Sequence, residues 1–270
     1  MPGGPLSLAT AASHQHQASD PLRVAAGHGA EIIGILSAMK IGILETGAPP
    51  PDLKDRFGSY GDMFRDLLGP EFSYQYYDVR TGKLPSPADG NDAYLITGSA
   101  TGVYDGEPWI DGLKTFIQEI SGRQPLVGIC FGHQLMAEAY GGRVLKSPKG
   151  WGAGLHSYDI TRRADWMKTD DEPGLSIPVS HQDQIADLPG DATILASSEF
   201  TPYAVLEYPE RRAISFQGHP EFSADYATAL IDLRRGTRYQ PDFADAAVST
   251  LKKPNDSQRV ASWVRKFLKG

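Results

Sequence analysis

The sequence of 270 residues contains a single cysteine, Cys130. One thiol excludes an internal disulfide framework and a zinc site built on cysteines. No apolar run approaches the roughly 20 residues that a membrane-crossing helix needs. The segment before Met39 lacks the basic start and apolar centre of a secretory signal. Excess basic charge is missing too: the net charge of -7 argues against a nucleic-acid partner, because phosphate binding needs a basic surface. There is no G-x-x-x-x-G-K-[ST] pattern, and no G-x-G-x-x-G follows the first apolar run, so neither a phosphate loop nor a dinucleotide fingerprint is present.

What is present is enough apolar residue, 40% of the chain, for a full-sized core. These features together predict a protein of the cytoplasm. Nothing in them requires a metal or an organic cofactor. Residues 1–38 are rich in Ala, Gly, Ser, Pro and His and hold no sustained period, the composition of a disordered extension. His14, His16 and His28 are metal-ligand types, but in this setting they read as part of the tail. Met39, followed directly by a strand-like run, reads as the natural start of one folded domain over residues 39–270.

From Lys40 the pattern alternates. Buried strands are expected at Lys40–Glu45, Ala93–Thr97 and Pro125–Ile129, and an alternating aromatic strand at Phe72–Val79. Helices are expected at Tyr60–Leu68, Trp109–Ile120 and Gly132–Tyr140, with "PPPD" breaking the chain after the first strand. Strands alternating with helices imply an open, mostly parallel sheet with helices on both faces, an α/β fold. Beyond Gly142 the runs shorten: Arg143–Lys146, Gly154–Ile160, Ile177–Ser180, Thr193–Ser197, Ala204–Glu207 and Ala213–Gln217. Some of these suit antiparallel edges. Two C-terminal helices are expected, at Ala224–Arg235 and Ser257–Leu268.

Cys130 falls where a strand becomes a helix, in "GICFG". In open α/β sheets, chemistry sits at the carboxyl ends of strands. A nucleophile on such a sharp turn needs small neighbours, and Gly128 and Gly132 supply them. The helix start then favours thiolate. A lone cysteine is ordinarily a packed core residue; the two glycines and the strand-to-helix context reverse that expectation. A thiol nucleophile needs a base, and the base an orienting group. "AISFQGHPEF" offers both, with His219 at a strand end and Glu221 two residues on, on one side of an extended segment. A third element, "ITGS", ends a buried strand in small residues. Backbone N–H groups at Gly98 and Ser99, with that of Phe131, are candidates to hold a developing oxyanion.

Taken together, "GICFGHQ", "GHPEF" and "ITGS" resemble the class I glutamine amidotransferase family over about Lys40 to Tyr226. The resemblance implies a flavodoxin-like fold and a Cys130–His219–Glu221 triad. Cys130 would attack the side-chain amide of glutamine, forming a γ-glutamyl thioester and releasing ammonia. Gln134 would help to hold the amino-acid end of the substrate. "PVSHQDQIADLP" is similar to a segment lining the substrate pocket in the family, which places His181 and Gln182 there, although Gln182 stands where glycine is common. The family also implies a synthetase partner chain that uses the ammonia, since no synthetase follows Tyr226 in this sequence. Phe131 and His133 depart from the Tyr and Met usual in GMP synthase amidase domains. "KGWGAGLHSYDI" resembles stand-alone members and γ-glutamyl peptidases, which cleave γ-glutamyl conjugates with the same triad. A regulatory protein that keeps the fold without turnover is the third alternative.

Overall fold

The structure, a computed structural model, describes residues 38–168 and 171–270. Apart from Ala38, the expected extension with its three histidines lies outside the described residues.

The first half is built from four short strands, of which β1 (Lys40–Glu45), β3 (Ala93–Ile96) and β4 (Leu126–Ile129) are buried runs and β2 (Ser73–Asp78) is tyrosine-rich and half-exposed. The last strand, β11 (Ala213–Phe216), returns beside β4. These five pair in parallel, in the order β2-β1-β3-β4-β11, the 2-1-3-4-5 order of flavodoxin-like sheets. Four strands extend the sheet antiparallel beyond β11: β10 (Val205–Tyr208), β9 (Thr193–Ser197), β6 (Gly152–Ile160) and β7 (Gly174–His181). A separate antiparallel pair joins β5 (Arg143–Lys146) to β8 (Asp183–Asp187).

Helices cover both faces of the parallel half, and the period-2 alternation of each strand decides which core each side chain joins. Ile41, Ile43 and Leu95 pack with α2 (Tyr60–Leu68) and α7 (Ser257–Lys269), through Phe64 and Val264. Leu44, Tyr94 and Ile96 face the opposite way. They pack with α3 (Pro108–Ile120) and α4 (Phe131–Ala139), through Leu113 and Leu135. A third cluster joins α1 (Pro51–Phe57), α5 (Ala224–Arg234) and α6 (Pro241–Thr250) along the β6 edge.

Three elements differ from the sequence expectation. "PPPD" does not simply break the chain: Pro51 is the first residue of α1, a position where proline's missing N–H would have no partner anyway. Three helices, not two, close the chain, because α6 carries no apolar stripe and buries only Ala244 and Ala247. β8 lies hidden in "DQIAD", whose buried Gln184 and Ile185 are flanked by acids.

The parallel half fixes the site. β3, β4 and β11 run the same way side by side, so their carboxyl ends open on one edge. That edge is crowded. A Cβ at Gly132 would lie 2.6 Å from the carbonyl oxygen and 2.8 Å from Cβ of Ile96. Since the first obstacle is backbone, it cannot swing away. Gly132→Ala should therefore destabilise the fold by about 1–3 kcal/mol. Urea unfolding should show a lower midpoint at an unchanged slope; an unchanged midpoint would contradict the packing described.

Candidate active site

Cys130 is the residue between β4 and α4. Its backbone sits at φ 52, ψ -100, a conformation sparsely populated by side-chain-bearing residues and strained by about 1–3 kcal/mol. Only one other non-glycine among the described residues, Arg212, has positive φ. The strain is held by neighbours on both sides. The Cys130 N–H donates to the Phe216 carbonyl at the end of β11 (2.8 Å), and its own carbonyl accepts from Gln134 N–H (3.0 Å). Gly128 and Gly132 make room: a Cβ at Gly128 would come within 2.8 Å of the Gly132 carbonyl oxygen. Neither glycine has positive φ, so it is close approach and not backbone freedom that requires them.

His219 follows β11. Its N–H donates to the carbonyl of Pro178 on β7 (2.8 Å), which brings the end of the antiparallel arm back over the catalytic edge. Its Nδ1 lies 2.7 Å from Glu221 Oε1, with both side chains buried. The pair does not share one side of an extended segment, as the i, i+2 spacing suggests. His219 to Phe222 form a tight turn, closed by Phe222 N–H donating to His219 carbonyl (3.2 Å), with Pro220 at the second position where its fixed φ fits. The turn also stacks the Phe222 ring on the imidazole, 4.0 Å between centroids and 6° from parallel.

Burial alone would lower the pKa of His219. The Glu221 carboxylate and the Cys130 sulfur outweigh it and raise the imidazole well above its ordinary value of about 6.5. Glu221 Oε2 is buried without a hydrogen-bond partner, so the carboxylate's charge is directed at the imidazole. His181 behaves oppositely: burial first, then the neighbouring histidines, pull it down to about 3 and hold it neutral. His133 is likewise neutral, pushed down to about 3 by burial, and its Nδ1 meets Ser215 Oγ at 2.7 Å across to β11.

Gly98 is where the strands' products meet. A Cβ there would lie 2.7 Å from His219 Cε1 and 3.5 Å from Cys130 Cβ. Ser99 follows, its Oγ accepting from Thr101 N–H (3.1 Å). Cys130, Ser99, Gln134, His181 and Gln182 line one cleft of about 340 Å³. His219, Gly98 and Ser99 line a second cleft of about 280 Å³ beside it, walled by Tyr60 and Pro49 to Pro51. The Gln134 amide donates to the Asp183 carbonyl (2.8 Å) and to Gln217 Oε1 (3.1 Å), so it is anchored at the cleft floor. The Phe131 side chain points away, packing at 5.4 Å against Trp109 in the core; only its backbone, at the opening of α4, faces the site's chemistry, where helix amides lack intrahelical acceptors.

Several cleft residues escape the sequence reading: Arg234, Arg238, Lys146, Trp151 and Tyr104. They come from loops, a strand end and a helix end, and only Trp151 lies in a segment singled out by resemblance. The basic run "LRRGTR" at the end of α5 is the available signal for the two arginines. Among the described residues, no group of three or more His, Cys, Asp or Glu could hold a metal ion. No described helix is long and apolar enough to cross a membrane.

Two outcomes follow from the geometry. Gly98→Ala should displace the His219 ring and lower kcat by about 100-fold, with little change in melting temperature; retention of full kcat would contradict the close approach. The His219 imidazole should remain protonated at pH 8 in an NMR titration, and Glu221→Gln should move its titration lower. Because the folded pKa is raised, the ion pair stabilises the fold fully below about pH 6.5 and loses that contribution as pH rises through the folded value. Equal titration in both proteins would contradict the assignment.

The chain matches the family model described as glutamine amidotransferase class-I over residues 72–231. It is 29% identical to a glutamine amidotransferase-like protein of Schizosaccharomyces pombe, over 84% of this chain and 98% of that one. It is 30% identical to gamma-glutamyl peptidase 5 of Arabidopsis thaliana, over 81% and 90%. It is 28% identical to one subunit of the glutamine-hydrolyzing GMP synthase of Methanopyrus kandleri, over 62% and 86%. A glutamine amidotransferase of Thermotoga maritima has the same fold, with a TM-score of 0.68 at 21% identity over 86% of this chain and 99% of that one. With the elbow, the parallel edge and these similarities together, the chain belongs to the class I glutamine amidotransferase family.

Proposed function

We propose that the chain is a cysteine-dependent hydrolase of γ-glutamyl amides, with glutamine as its simplest substrate. The observation that carries this reading is the strained elbow at Cys130 with a buried His219–Glu221 pair closing on the same edge. The Cys130 sulfur attacks the γ-carbonyl carbon. The carbonyl oxygen becomes an oxyanion, held by backbone N–H groups at Phe131 and in the Gly98–Ser99 loop. His219, charged beside Glu221, donates its proton to the leaving nitrogen as the C–N bond breaks. A γ-glutamyl thioester remains. Water then attacks it, His219 accepts the water's proton, and the sulfur departs with glutamate released.

Gln134, His181 and Gln182 line the cleft that would hold the glutamyl end. With glutamine, ammonia leaves, and a synthetase partner chain could take it up. The second reading is a γ-glutamyl peptidase. Two observations favour it: the separate cleft of about 280 Å³ on the His219 side, far larger than ammonia needs, and the similarity to the Arabidopsis gamma-glutamyl peptidases. A regulatory role without turnover is disfavoured by the complete set of Cys, His and Glu.

Purified protein should be offered glutamine and γ-glutamyl peptides separately, with ammonia, free amine and glutamate measured. The expected outcome is glutamate release from at least one of them, abolished by Cys130→Ser. Gln134→Ala should raise KM and leave a measurable kcat. Ammonia from glutamine supports the first reading; amine from peptides with little ammonia supports the second. Activity that survives Cys130→Ser would overturn the mechanism.

A further inference from the structure

Two guanidinium groups at the cleft that holds Cys130 pair with no carboxylate among the described residues. Arg235, which points outward, is pinned by Asp232 at 2.7 Å and Asp245 at 2.5 Å. Its chain neighbours Arg234 and Arg238 line the cleft that holds Cys130, and among the described residues neither pairs with a carboxylate. Arg234 is the last residue of α5. Its Nη1 donates to Ser180 Oγ (2.6 Å) and to Tyr239 Oη (3.3 Å). These bonds aim the guanidinium without cancelling its charge. Arg238 lies 4.9 Å over the Trp151 ring, which holds its plane. Burial first, and then the like charge of Arg234, disfavour the charge on Arg238. Lys146 stands at the same cleft. Two acids also line it, Asp105 and Asp183, but Asp105 already accepts from Gly102 N–H (2.8 Å). Three basic side chains thus meet two acids at this cleft.

The chemistry decides which end of a substrate they meet. Arg234 borders both clefts, the one holding Cys130 and the one into which His219 opens. His219 is the group that must protonate the leaving nitrogen, so the departing amine lies on its side of the sulfur. On the γ-glutamyl reading above, we propose that Arg234, which alone of the two borders both clefts, is a specificity-determining residue that binds a free carboxylate on the leaving amine, with Arg238 adding positive charge from the Cys130 side. The preferred substrate is then a γ-glutamyl amino acid or peptide with an anionic leaving group, in preference to glutamine or an uncharged γ-glutamyl amide. Charge-assisted pairing of guanidinium with carboxylate supplies both affinity and orientation.

The test compares γ-glutamylglycine with γ-glutamylglycinamide, which differ in that one charge. Wild-type protein should show a kcat/KM for the acid about tenfold or more above that for the amide. Arg234→Lys should shrink this ratio toward one and Arg238→Met should shrink it less, with melting curves recorded to confirm folding. Calorimetric binding of both compounds to Cys130→Ala should show the same preference without turnover. Equal use of acid and amide by the wild type would overturn the assignment alone. So would a loss that falls equally on both compounds, which would place the arginines on the glutamyl carboxylate instead. If neither compound is bound or hydrolysed, the γ-glutamyl reading itself fails.

Discussion

The steric squeeze around the turn after β4 is the constraint on which the rest of the site depends. Cys130 is held in a strained backbone conformation, and the strain persists because Gly128, Gly132 and Gly98 leave no room for relaxation. Each of them removes a clash with a different neighbour: Gly132 with Ile96, Gly128 with the Gly132 backbone, and Gly98 with the His219 ring. Three parallel strands meet at that point, so the crowding ties Cys130, His219 and the loop after β3 into one rigid edge. A substitution at any of the three moves more than itself.

Electrostatics then divides the edge into zones. His219 is kept charged by Glu221 behind it and the sulfur in front, whereas His181 and His133, equally buried, are kept neutral. The difference is the carboxylate: burial disfavours charge in all three, and only His219 has a paired acid within hydrogen-bonding distance. Along the same clefts stand Arg234 and Arg238, which among the described residues pair with no carboxylate. On the proposed mechanism, the proton donor and a guanidinium therefore border one and the same cleft.

Much of this is legible in the sequence, for physical reasons. Buried parallel strands read as short apolar runs, and a nucleophile turn must carry small residues at fixed offsets, so β1, β3, β4 and the elbow can be placed within a residue or two. "GHPEF" is legible as a His–Glu pair, but not its geometry: the spacing fits an extended segment, and the turn made by Pro220 is what delivers the contact. α6 is invisible because its buried face is alanine. The arginine pair is invisible for a different reason. Arg234 and Arg238 are more than a hundred residues from Cys130 in the chain, and that neither pairs with a carboxylate among the described residues is a property of tertiary packing alone.

The central claim is that a substrate acyl group passes through the sulfur of Cys130. Acid quenching during turnover of glutamine or a γ-glutamyl peptide, followed by peptide mass spectrometry, tests it most directly. The account predicts a γ-glutamyl adduct on the Leu126–Ala137 stretch, located at Cys130 and released by hydroxylamine as a thioester should be. Turnover with no adduct on Cys130, or with the adduct on another residue, would contradict it.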